Sequence, residues 1–97
     1  NKYKMTKIKN TPINKMWEKR TAKHLVGAKI IQVEYMLKDE VEDMMFENSP
    51  ICLLLEDSKG NRFWIYPTAD DEGNDGGAMF TSIQNYPVIP VISKYDL

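Results

Sequence analysis

Between Asp70 and Gly77 the chain reads Asp-Asp-Glu-Gly-Asn-Asp-Gly-Gly. Four carboxylates and an amide within six residues supply hard oxygen donors, and three glycines let the backbone turn sharply around them. This chemistry suits Ca²⁺ or Mg²⁺, with Asp70, Asp71, Glu72 and Asp75 as candidate metal ligands. The spacing is not that of an EF-hand: Asp71-x-Gly73-x-Asp75-Gly76 lacks an oxygen side chain at its third position, and no Glu closes the loop. Glycine-rich turns also hold phosphates through backbone N–H groups, but here the carboxylates would repel an anion unless a cation bridged them. A third reading is that the Asp and Asn side chains cap the loop's own backbone. The sequence leaves open metal binding, self-capping, and ligand or partner binding through Asp70, Asp71, Glu72, Asn74 and Asp75.

Just upstream, Arg62, Trp64 and Tyr66 share one side of an expected strand and Phe63 and Ile65 the other. Facing outward, the first set is a stacking platform with a cation beside it, suited to a base, a nucleotide or a peptide. The preferred reading of Trp64 is packing under an N-terminal helix, together with Trp17.

Catalytic constellations are sparse. His24 and Cys52 are the only residues of their types, so a zinc site would need mostly carboxylates. There is no Gly-Lys-Ser/Thr phosphate loop and no G-x-S-x-G elbow. A Cys52–His24 dyad is disfavoured because Cys52 sits among Ile51, Leu53 and Leu54, where a thiolate is poorly solvated. Cys52 reads as a small buried hydrophobe, and His24 as an exposed or helix-terminal residue.

The elements that must position these groups follow from periodicity. Thr11-Pro12 is a helix start and Gly27 a stop, predicting a helix over 12–25 with Ile13, Met16 and Trp17 as a core-facing stripe. Ile31, Val33, Tyr35 and Leu37 alternate with polar residues or Met36 as a half-buried strand does. Residues 39–48 suit a short helical turn or an ordered loop. Residues 50–56 are nearly all apolar and predict a central strand covered on both faces. The turn-rich 57–61 joins it to a strand at 62–66 as a hairpin. Residues 78–83 and 88–92 predict further strands, the last confined to an edge by Pro90. The expected class is α+β, mainly β: a small SH3-like barrel, or a strongly bent antiparallel sheet, of about five strands with an N-terminal helix. A flatter sheet packed on the helix is the second choice.

The 97 residues fit one domain, and the longest apolar runs are far short of the roughly 20 residues that cross a bilayer. With no apolar run near the start, a soluble, cytoplasmic protein is expected. The net charge of −1 hides a division: residues 1–29 carry nine bases against Glu18, and residues 30–97 carry four bases against thirteen acids. Residues 1–10 read as a basic arm, flexible unless it lies back on the acidic body, ahead of a single domain over 11–97. Through Lys2, Lys4, Lys7 and Lys9 such an arm could meet nucleic acid.

Several of these residues resemble a group of small bacterial and phage proteins with no assigned activity. Its Leu-x-Gly-x-x-Ile-x-x-Val-x-Tyr pattern is matched by Leu25, Gly27, Ile30, Val33 and Tyr35. Leu53, Leu55, Asp57 and Gly60 match a strand and glycine turn, though that turn is longer here. Pro67, Asp70 to Asn74, Gly77 and Phe80 match a Pro-x-x-Asp-Asp-Glu-Gly-Asn segment with a later Gly and Phe, and Pro87 to Ile92 match a Pro-Val/Ile tail. The resemblance spans about residues 25–92 and implies one compact domain in which the acidic loop is a shared feature. The function expected is a non-catalytic module recognising a protein or small ligand through the 68–77 loop and the adjacent strand face. The alternatives are a divalent-metal protein, and a nucleic-acid or nucleotide-binding accessory, such as a phage-type inhibitor or sequestering protein, that uses the basic arm.

Overall fold

The computed structural model describes residues 12–97; the expected basic arm and the Thr11 cap lie outside the described residues. The fold is α+β. Helix α1 (Pro12–Leu25) is followed by β1 (Lys29–Tyr35), α2 (Lys38–Asp43), β2 (Asn48–Ser49) and β3 (Ile51–Glu56). Strands β4 (Arg62–Ile65), β5 (Met79–Phe80), β6 (Val88–Ile89) and β7 (Ile92–Ser93) complete the chain, with a final 3₁₀ turn at Lys94–Asp96.

β3 lies between β1 and β4 in an antiparallel sheet, as its continuous apolar character predicts. The other strands pair locally, β2 with β7 and β5 with β6. The SH3-like barrel is therefore not formed among the described residues. Pro87 and Pro90 bracket β6, and two-residue pairs cannot extend the ladder needed to join both edges of the main sheet. Residues 78–83 likewise form a strand only at Met79–Phe80.

The core is small. Met36, Val41, Phe46 and Cys52 form its buried cluster, with Tyr66 packed against it, and Ile51 and Leu55 are buried from the opposite face of β3. The end of α2 explains how Phe46 arrives there. Phe46 N donates to Val41 O at 2.9 Å and Met45 N to Glu42 O at 3.0 Å, a Schellman ending that brings Phe46 back over Val41. It places Met45 at a φ of 61°, the left-handed region usually left to glycine.

The expectation that the α1 stripe is core is corrected. No residue of α1 is buried, and Trp17 and Met16 remain 56% and 39% exposed. The stripe is too sparse: after Ile13, Met16 and Trp17 the helix continues with Glu18, Lys19, Arg20 and Lys23, and Trp17 takes Arg20 over its ring instead of a core contact. Trp64, 44% exposed, is not covered by the helix either.

Candidate functional site

The acidic loop consists of two hydrogen-bonded devices. The first is a five-residue turn that occurs twice in the chain. At Asp57-Ser-Lys-Gly60-Asn61, the Asp57 carboxylate accepts from Lys59 N and Asn61 N, both at 2.9 Å, and from Asn61 Nδ2 at 3.2 Å. At Asp70-Asp-Glu-Gly73-Asn74, the Asp70 carboxylate accepts from Glu72 N at 3.0 Å, Asn74 N at 3.2 Å and Asn74 Nδ2 at 2.8 Å. The fourth residue is glycine at positive φ in both, 86° for Gly60 and 72° for Gly73. These hydrogen bonds, led by those from Asn61 and Asn74, hold both carboxyls below the ordinary carboxylate range.

The second device is a clamp. Asp75 Oδ1 accepts from the backbone N–H groups of Glu47 (3.0 Å), Asn48 (3.0 Å) and Gly76 (2.8 Å), and Oδ2 accepts from Asn48 Nδ2 (2.9 Å). Burial raises the Asp75 pKa, but the donors outweigh it and the net shift is downward. Gly76 is packed so closely that a Cβ there would lie 2.3 Å from Asn48 O and 2.6 Å from a Pro50 ring carbon. Asp75 and Gly76 together fix the segment that leads from α2 into β3.

Of the residues singled out in this loop, Asp70, Glu72, Asn74 and Asp75 have side chains engaged within the chain, Glu72 Oε1 accepting from Asn74 Nδ2 at 3.3 Å, and Asp71 is exposed. Asp70 and Asp75 address different segments, and among the described residues no three His, Cys, Asp or Glu side chains come together as a metal would need. His24 is exposed in the last turn of α1, while Cys52 is buried in β3.

The strand face tells a different story. Register places Glu34 of β1 opposite Cys52, and Trp64 of β4 opposite Leu54. Strand alternation puts Tyr66 on the same side, beyond the end of β4. Arg62 shares this face but is drawn away by Glu56, with Nε 3.4 Å from Oε2. Beside these side chains is a cavity of about 300 Å³ lined by Glu34, Met36, Leu37, Glu40, Cys52, Trp64 and Tyr66. Tyr66 Oη donates to Met44 Sδ at 3.8 Å, which steadies the ring. Glu34 Oε1 accepts from Gln32 Nε2 at 2.7 Å. Burial, then the charges of Glu40 and Glu34, push the Cys52 thiol up to about 11. Cys52 is thus a neutral wall group rather than a nucleophile at neutral pH.

Sequence reading identified Trp64 and Tyr66 but missed Glu34, Glu40 and Cys52 as their neighbours. Glu34 looked like the solvent half of an alternating strand, and only the β1–β3 register brings it beside Cys52. Among known proteins, no family model, curated protein or solved structure matches this chain.

Proposed function

We propose that this protein is a small, non-catalytic binding module whose ligand sits on the Trp64–Tyr66 strand face, in the cavity beside Cys52. The observation that carries this reading is Trp64 itself, a large aromatic left 44% exposed on the wall of a preformed recess. At about 300 Å³ the recess is at the small end of the range for ligand pockets, and apolar and aromatic walls with a few polar groups are the usual make-up of such sites. The raised Cys52 pKa supports a binding role over nucleophilic chemistry. In this reading the acidic loop acts indirectly, because Asp75 secures the segment connecting α2 to β3, and both elements line the cavity.

A fragment screen by ligand-observed NMR, run on the whole chain and on Trp64→Ala, tests the proposal. Binders should lose their signal with the variant while its circular dichroism spectrum stays unchanged. Binders retained equally by a folded Trp64→Ala protein would overturn it.

A further inference from the structure

Resting on that reading of the cavity, we infer that its ligand is an organic cation with an alkylated ammonium head. Three observations converge. First, two aromatic rings, Trp64 and Tyr66, line the recess, and the faces of such rings attract cations, Trp most strongly. Second, the lining holds two carboxylates, Glu34 and Glu40, and no basic residue among the described ones. Neither carboxylate joins an ion pair among the described residues. Third, both lie close enough to Cys52 to disfavour its thiolate, so their negative potential reaches the cavity floor.

The remaining walls select the kind of cation. Met36, Leu37 and the Cys52 thiol offer poor acceptors for N–H groups. A primary ammonium could donate to Glu34 and Glu40 but finds no strong acceptor along these walls, where its strong hydration is lost. An alkylated ammonium has little such hydration to lose, and it presents methyl groups to the apolar wall and charge to the carboxylates. Anions are repelled by Glu34 and Glu40, and neutral apolar compounds gain nothing from either.

Choline and its uncharged isostere 3,3-dimethylbutan-1-ol are the probes, titrated into the whole chain with ¹H–¹⁵N spectra recorded. Choline should move the Cys52 amide and the Trp64 indole signals and bind about tenfold or more tighter than the alcohol. Glu34→Gln and Glu40→Gln should each weaken choline by about threefold or more without altering the alcohol or the melting temperature. Equal binding of the two probes, or choline binding unaffected in both variants, would overturn the cation assignment while leaving the binding-module reading intact. Failure of these probes and of every compound in the fragment screen would overturn both.

Discussion

The Asp75 carboxylate accepts from both the backbone and the side-chain nitrogen of Asn48, a residue 27 positions earlier in the chain. With Glu47 N also bound, one side chain fixes the exit of α2 against the entry of β3. Donors held around a carboxylate are costly to strand, because those of Asn48 and Gly76 then sit partly buried without an acceptor. Asp75→Ala should therefore lower stability by roughly 2–3 kcal/mol, read as a shift in the urea midpoint with an unchanged slope. Asp71→Ala should leave the midpoint where it is.

Acid sensitivity follows from the same bonds. The Asp57, Asp70 and Asp75 carboxyls all have folded-state pKa values held below the ordinary one. Their contribution is complete above the unfolded-state value of about 4 and is lost as the pH falls below it through the folded values. The melting temperature should hold between pH 7 and about pH 5, then drop toward pH 3, and the drop should be shallower in Asp75→Asn.

The twice-used Asp-x-x-Gly-Asn turn separates the structural parts of the acidic loop from the rest. Its middle positions are Ser58-Lys59 in one copy and Asp71-Glu72 in the other, and all four are exposed. Replacing Asp71-Glu72 by the Ser-Lys pair should change stability by less than about 0.5 kcal/mol, whereas Gly73→Ala should cost about 1 kcal/mol through its positive φ. Gly76→Ala should cost more than Gly73→Ala, since its Cβ meets backbone and a proline ring; thermal denaturation of the three variants ranks them.

Met45 is 82% exposed and held at positive φ by the end of α2. Met45→Gly should relieve that backbone cost and stabilise the protein by up to about 1 kcal/mol, while Met45→Ala should be neutral in the same melt. The reverse ranking would show that the Met45 side chain contributes packing.

Local features were legible in the sequence and distant pairings were not. The hairpin at 57–61, the central position of β3 and the burial of Cys52 follow from neighbours within a few residues. The pairing of β2 with β7, two residues each, leaves no periodic trace, and the Asp75–Asn48 clamp joins residues whose types alone name no partner. Helical spacing located α1 correctly, but three large apolar residues among so many charges did not bury its stripe. The site divides along the same line. Asp70 caps its own turn, as a local reading allows, whereas the convergence of Glu34, Glu40 and Trp64 on Cys52 depends on strand register and on where α2 lies.

Trp64 is the proposed ligand-binding wall, and its indole N–H resonance reports on that role directly. With Trp17→Phe leaving a single indole signal, compounds that bind the protein should shift that signal together with the Cys52 and Tyr66 amides. Binders that shift residues of α1 or the Asp71–Glu72 turn while leaving the Trp64 indole unmoved would contradict it.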